Sequence, residues 1–359
     1  MSEEPGPEMA PERPGPRSIA DDPHPALLGH PHEYMRREVS DAVGVSLLSA
    51  RRFWHALGFP RVGDDDVVFT EADVQALDRV VSLVRAGVLD DDSALSLTRA
   101  MARTADRLAA WQTQMVWEML QDRRQLAAEA GGPPEAVPVE TAAAELMIQL
   151  ADEMEPLLVY AWRRHLAAAV AQLASQAAQP EVLGTEHPAV VGFADMVGFT
   201  QTVRHLTERA LGRMVQRFEA VASDTVAAYG GRVVKTLGDE VLFSARDALD
   251  AAGIALTLID GVHAAGDMPP LRVGLAYGPV VSRLGDLFGT TVNRAARLTS
   301  LAHPDTVLVD VALARQLYDC ADVKLSPMRP RDLRGLGPTR ALVLRPGPNG
   351  PPDPAALRR

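Results

Sequence analysis

Near Gly184 the hydrophobic period of the chain changes, and this change limits the fold more than any other feature. Before it, apolar residues recur at the spacing of one helix face; after it, short β-branched runs alternate with amphipathic stretches. Residues 32–129 read as helical throughout. Thr70-Glu71-Ala72-Asp73 has the form of a capping box and opens a helix carrying Val74, Leu77, Val80, Val81 and Val84. Asp91-Asp92-Ser93 is expected to cap the next helix, with Leu95, Leu97, Met101 and Leu108, continued by a stripe of Trp111, Met115, Met119 and Leu120. Such a stripe reads as core or as a helix-pairing surface. Gly131-Gly132-Pro133-Pro134 then stops the helix. Residues 141–179 form another, expected to break or bend at Pro156, which lacks a backbone donor. Past that proline, Trp162, Leu166, Val170 and Leu173 fall near one face, so the segment reads as a connecting helix able to pair with its own copy.

Beyond Gly184, strands are expected at 189–193, 232–235, 240–243, 271–277, 306–309 and 340–344, and helices at 206–229, 245–265 and 288–301. The order β-α-β-β-α-β, followed by further elements, predicts a ferredoxin-like α+β domain rather than a doubly wound sheet. The expected organisation is a tail at 1–26, an all-helical domain with its connecting helix at 27–180, an α+β domain at 181–346 and a second tail at 347–359. Both tails are rich in Pro and Gly and poor in residues to bury, which predicts disorder.

Composition narrows the function. The single cysteine, Cys320, excludes an intramolecular disulfide and a Cys-based zinc site, and suits a reducing cytosol. With 36 basic against 47 acidic residues the net charge is −11, so nucleic-acid binding would need a local basic patch. No uninterrupted apolar run approaches the roughly 20 residues that cross a bilayer. The N-terminus lacks the basic-then-apolar order of a signal peptide. A soluble, cytoplasmic protein without a transmembrane segment is expected.

Three short stretches carry the chemistry. In Phe193-Ala194-Asp195-Met196-Val197-Gly198-Phe199-Thr200 a carboxylate ends a strand before a turn and a helix. A carboxylate there can hold Mg²⁺, and the free N–H groups of the turn face an anion such as phosphate. In Lys235-Thr236-Leu237-Gly238-Asp239-Glu240 a second carboxylate sits between two strands. Alone it is an ordinary hairpin turn; with Asp195 it makes a pair able to bind two divalent ions, as phosphoryl chemistry requires. The third runs from Arg283-Leu284-Gly285-Asp286-Leu287-Phe288-Gly289 to Val292-Asn293-Arg294-Ala295-Ala296-Arg297. Asn293 and Arg297 are four apart and share a helix face. An amide and a guanidinium on one face suit a ribose and a phosphorane-like transition state.

In this order the three stretches resemble the class III nucleotidyl cyclase catalytic domain over about residues 185–345. The resemblance implies that Asp195 and Asp239 bind two Mg²⁺ or Mn²⁺ ions, with the backbone carbonyl of Met196 alongside. Met196 itself stands where a branched aliphatic is commoner. It further implies that Lys235 and Asp286 read the base. Lysine and aspartate there are the adenylate cyclase pair, an ammonium donating to adenine N1 and a carboxylate accepting from its amine. Asn293 and Arg297 match the pair that stabilises the transition state, Phe199 and Thr200 fall in the substrate-binding turn, and Arg334 falls where a basic residue meets the triphosphate. ATP is then the substrate, cyclic AMP and pyrophosphate the products, and a homodimer the working form, because the family builds each site from two catalytic domains.

Residues 32–178 resemble the helical regulatory domain that precedes the catalytic domain in actinobacterial soluble cyclases. The carrying features are Val43-Gly44-Val45-Ser46, the run from Ala50 to Pro60 and the long connecting helix. This implies regulation by pH or by a bound fatty acid, and with a bound lipid a peripheral place at a membrane. His165 on the connecting helix is the expected proton sensor. Trp54, Phe59, Trp111, Met115 and Trp117 read as core packing ahead of a ligand pocket. Two other readings stand against the enzyme. Val43-Gly44-Val45-Ser46 with Ala50-Arg51-Arg52 also has the form of a DNA-binding helix-turn-helix, opposed by Asp64-Asp65-Asp66 and the net charge. A degenerate, nucleotide-sensing domain is opposed by the complete set of motif residues.

Overall fold

The computed structural model describes residues 23–357 apart from 60, 61, 64, 134, 178–185, 284 and 334–336. The chain divides into two compact units, Met1–Gln172 and Leu173–Arg359.

The first unit contains α1 (His24–Leu28), α2 (Arg36–Val43), α3 (Leu47–Leu57), α4 (Glu71–Arg85), α5 (Asp91–Glu129) and most of α6 (Val139–Ala177). Local chemistry explains the boundaries. The left-handed Gly44 ends α2, and the Ser46 side chain accepts from Ser49 N to start α3. The box at Thr70 forms, with Asp73 Oδ2 accepting from Thr70 N at 2.7 Å. The cap of α5 is Asp90, one residue before the expected position; its carboxylate accepts from Ser93 N at 2.7 Å. The described residues between 58 and 70 are not helical, and Tyr34 pairs with Phe69 in an isolated antiparallel bridge. Val39, Val43, Ala50, Phe53, Trp54, Phe69 and Leu77 form the core of this unit.

On the long helices the core reading of the α5 stripe fails, and of the break or bend expected at Pro156 the break does not occur. Only Ala94, Thr98 and Val116 of α5 are buried, so Trp111, Met115, Trp117 and Met119 are not core; Trp111 is 51% exposed. The reason is geometric: a 39-residue helix is about 58 Å long, far longer than the small core at one end can cover. On α6, Pro156 does not break the helix. Pro156 and Asp152 are both exposed, so water can solvate the carbonyl that loses its donor. Trp162, Leu166, Val170 and Leu173 are all exposed as well.

The second unit follows β1 (Glu186–Met196), α7 (Phe199–Val203), α8 (Glu208–Ala228), β2 (Arg232–Leu237), β3 (Glu240–Ala245), α9 (Ala248–Ala265) and β4 (Leu271–Arg283). It continues through β5 (Asp286–Phe288), α10 (Thr290–Leu301), β6 (Thr306–Asp310), α11 (Val311–Gln316), β7 (Val323–Pro327), β8 (Arg331–Leu333), β9 (Gly337–Thr339) and β10 (Ala341–Pro346). The main sheet runs β2-β3-β1-β4-β6-β10-β7, with β5 on β4, and β8-β9 is a separate ribbon. Its first four strands are antiparallel neighbours, the expected ferredoxin-like arrangement; β4 and β6 are parallel, joined through α10.

Alternation along β1 builds both layers. Val190, Ala194 and Met196 pack with Phe218, Ala222 and Val226 of α8 and Ile254 and Leu258 of α9, whereas Val191 and Phe193 face Ala295 of α10. Among the described residues, α9 is the one helix long and apolar enough to cross a membrane, yet ten of its residues are buried in this core.

The C-terminal stretch is not a free tail where it is described. Gly347 N donates to Asp322 O at 2.8 Å, Tyr229 Oη donates to Pro352 O at 2.5 Å, and Leu357 packs on the main core. Proline has no N–H to satisfy, so a proline-rich strap can lie on a folded surface without a full set of backbone partners.

Candidate active site

Register brings the acidic residues together. Asp195, near the end of β1, lies opposite Glu240 of β3 on one side and Arg272 of β4 on the other. Gly238, at φ 64°, makes the tight turn from β2 to β3 and places Asp239 at that same sheet end. Met196 N donates to Asp239 O at 3.0 Å, tying the turn to β1. The Met196 side chain is buried in the core, so only its main chain is available to the site. Gly198, left-handed at φ 74°, then starts α7, which carries the half-buried Phe199 and the exposed Thr200.

The electrostatics are those of an over-acidic cluster. Burial pushes Asp239 above the usual carboxylate range, and the charge of Asp195 adds to it. Glu240 is raised for the same two reasons, with Asp239 contributing. Arg272 offsets part of this: its Nε and Nη2 donate to Asp195 Oδ2 at 2.7 and 2.5 Å. Neither Arg272 nor Glu240 was singled out from the sequence. The available signal was a charged residue beside an otherwise apolar strand run, Leu271-Arg272-Val273-Gly274-Leu275. Among the described residues there is no cluster of three or more His, Cys, Asp or Glu side chains that would cage a metal. Two close hard-oxygen carboxylates with excess negative charge nevertheless fit Mg²⁺, which takes one or two carboxylates and completes its shell with water and substrate phosphates.

Lys235 and Asp286 meet directly, Nζ to Oδ2 at 2.8 Å. A register irregularity between Val233 and Lys235 resets the alternation of β2 just before the lysine. The short β5 off the end of β4 brings Asp286 across to β2. The hydrogen bond from Lys235 holds Asp286 below the usual carboxylate range. Arg232 Nη2 donates to Gly285 O at 2.5 Å and steadies the turn before Asp286.

Asn293 and Arg297 share the exposed face of α10, and neither side chain has a hydrogen bond or ion pair among the described residues. No bond joins the Asp195–Asp239 cluster to the Lys235–Asp286 pair among those residues. Arg334 lies outside the described residues.

Comparison with known proteins matches this architecture along most of the chain. Residues 184–345 match the adenylate and guanylate cyclase catalytic domain, and residues 24–165 the adenylate cyclase regulatory domain. An adenylate cyclase of Streptomyces coelicolor is 42% identical over 89% of this chain and 81% of its own length. One of Streptomyces griseus is 44% identical over 81% of this chain and 70% of its own. A pH-sensitive adenylate cyclase of Mycobacterium tuberculosis is 31% identical over 89% of this chain and 80% of its own. The chain therefore belongs to the class III family of adenylate and guanylate cyclase catalytic domains, with an adenylate cyclase regulatory domain ahead of it.

Proposed function

We propose that this chain is an adenylate cyclase that works as a homodimer, with each site built from the catalytic units of two copies. The observation that carries this reading is the state of the motif residues. The Asp195–Asp239 cluster and the Lys235–Asp286 pair are assembled, while Asn293 and Arg297 stand on an exposed helix face with nothing to act on. A second copy brought face to face supplies what each half lacks.

In the reaction the ribose 3′-oxygen attacks the α-phosphorus, the bond from that phosphorus to the β-phosphate oxygen breaks, and pyrophosphate leaves as the 3′-proton passes to solvent. Lys235 and Asp286 exchange their mutual ion pair for the adenine edge, the ammonium donating to N1 and the carboxylate accepting from the amine. Asn293 orients the ribose, and Arg297 donates to the oxygens on which charge grows. Phe199 and Thr200 lie at the phosphate end of the site, where Arg272 adds positive charge and Arg334 is assigned the triphosphate. Cyclases of this family use divalent metal ions, and Asp195, Asp239 and the Met196 carbonyl would hold Mg²⁺ or Mn²⁺, two per site. When bound, these ions ease loss of the 3′-proton and neutralise the leaving pyrophosphate.

The regulatory unit is read as a sensor of pH or of a fatty acid. Its pocket of about 320 Å³ has aromatic walls from Trp54, Phe59 and Phe69 and a polar side with His32, Arg51 and His55. The Trp54 indole N–H is buried without a partner among the described residues, which suits a wall that receives a polar ligand head. A pH-sensitive relative at 31% identity supports the same reading, which leaves the chain cytoplasmic or peripheral at a membrane. His165 is exposed on α6, away from that pocket lining. The DNA-binding alternative is weakened because Arg52 faces Asp92 at 3.6 Å.

The test is ATP conversion by the full chain with Mg²⁺ or Mn²⁺, beside Asp239→Ala, across pH and with added oleate. Cyclic AMP from the wild type alone supports the reading. No cyclic AMP under any condition sinks it in favour of a nucleotide-sensing module.

A further inference from the structure

Asn293 and Arg297 occupy one face of α10, so their placement depends on what holds its other faces. Thr291, Ala295, Leu298 and Thr299 form the buried face. Beneath it β4 is cut back to glycine: a Cβ on Gly274 would come within 2.3 Å of Thr299 N, and one on Gly278 within 2.7 Å of Thr291 Oγ1. These contacts set how closely the helix lies on the sheet. Rotation about its own axis is a separate freedom. With side chains about 5–6 Å from the axis, a roll of about 20° moves an exposed group by about 2 Å.

Arg294 is placed to stop that roll. It follows Asn293 directly and precedes Arg297 by less than one turn, at the border between buried and exposed faces. Its Nη1 donates to Asp310 Oδ2 at 2.8 Å. The Asp310 side chain is only 4% exposed and is fixed from several directions. Asp310 ends β6 and caps α11, and its Oδ1 accepts from Leu313 N at 2.8 Å and Tyr277 N at 3.4 Å. Arg294 is its ionic partner among the described residues. A buried carboxylate needs such a counter-charge, and a bond to an immobile acceptor gives directional restraint that apolar packing does not.

We propose that Arg294 and Asp310 are a positioning pair that sets the rotation of α10, and through it the placement of Asn293 and Arg297 on the reacting nucleotide. This rests on the site assignment above. Neither residue touches substrate. Their effect belongs to the transition state, because the base and the metal ions are held by other residues.

The test is steady-state kinetics of the full chain well below the melting temperature of each variant. In Asp310→Asn the amide oxygen still caps α11, and the amide N–H₂ faces the guanidinium donor to donor. The expected result is a kcat about 10- to 100-fold lower, with KM for ATP within about threefold of wild type. Arg294→Met should fall as far, Arg294→Lys should recover part of the loss, and the double variant should be no worse than the lower single. Should Asp310→Asn fail to fold, the Met and Lys variants at 294 carry the same test. Arg297→Ala gives the readout that mere stabilisation would not move: it should cost much less in the Asp310→Asn background than in wild type. Wild-type kcat in both Asp310→Asn and Arg294→Met, a matched rise in KM, or the full Arg297→Ala cost in both backgrounds would overturn the proposal. An Arg297→Ala enzyme that turns over like wild type instead sinks the site assignment, a failure distinct from a silent Asp310→Asn.

Discussion

Two helices show how differently the two units are built. The 18-residue α9 in the second unit buries ten residues, whereas the 39-residue α5 in the first buries three. The catalytic unit packs α8 and α9 on one face of its sheet and α10 on the other; Leu237, Phe288 and Tyr318 stay exposed, and Asn293 and Arg297 have no hydrogen bond or ion pair among the described residues. The regulatory unit leaves apolar side chains of α6 in water, Trp162 at 59% exposure and Val170 at 55%. An exposed apolar stripe of this length is a cost unless something covers it. In the proposed homodimer a second copy would meet both needs, the first through helix pairing and the second through a shared site.

The sharpest way to break that comparison is complementation. Asp239→Ala and Arg297→Ala should each lower turnover about 10²- to 10³-fold. Mixed in equal amounts, they should recover about a quarter of wild-type activity, since half of randomly formed dimers then hold one intact site of two. No recovery would mean a site complete within one chain. Truncation comes next. A chain starting at Glu181 should keep its circular dichroism yet lose about 10-fold or more in activity at nanomolar concentration, regaining it as concentration rises. Activity independent of concentration would leave the long helices no part in pairing. A smaller effect is expected from Trp162→Asp with Leu166→Asp, which should weaken self-association about 30-fold in sedimentation; an unchanged dimer would assign that face to another partner.

The smallest effect sharpens the electrostatic side. Asp239 has a raised pKa in the fold, so as pH climbs from its unfolded value the unfolded chain releases that proton first and stability falls. Above the raised pKa the whole penalty remains. Asp239→Asn should therefore raise the melting temperature of the metal-free protein at neutral pH by about 2 °C, with the gain vanishing in acid. A melting temperature lowered at neutral pH would contradict the account of a carboxylate penalised by burial and by the neighbouring charge of Asp195.

Much of the fold was legible in the sequence. The β-α-β-β-α-β order, the box at Thr70 and the ferredoxin-like pairing follow from periodicity and short-range chemistry, which act between neighbours in the chain. The errors cluster where neighbours do not decide. Pro156 reads as a break or a bend, and α6 runs through it unbroken because its exposed position lets water replace the lost donor. The stretch after 346 reads as disordered, but Tyr229, more than a hundred residues earlier, holds it. The α5 stripe reads as core or as a helix-pairing surface, and the core half of that reading fails: Val116 is buried, but Trp111, Met115 and Met119 are exposed.

The candidate site divides in the same way. Sequence by itself determined the residue types and their order, from Asp195 through Lys235, Asp239 and Asp286 to Asn293 and Arg297, because turns and strand ends that present polar groups leave local signatures. Only the tertiary structure decided that Arg272 would neutralise Asp195, that Glu240 would crowd Asp239 and that Arg294 would reach Asp310. Those pairings depend on strand register and on how a helix lies across a sheet. Both are set by contacts between residues far apart in the chain, which no local pattern encodes.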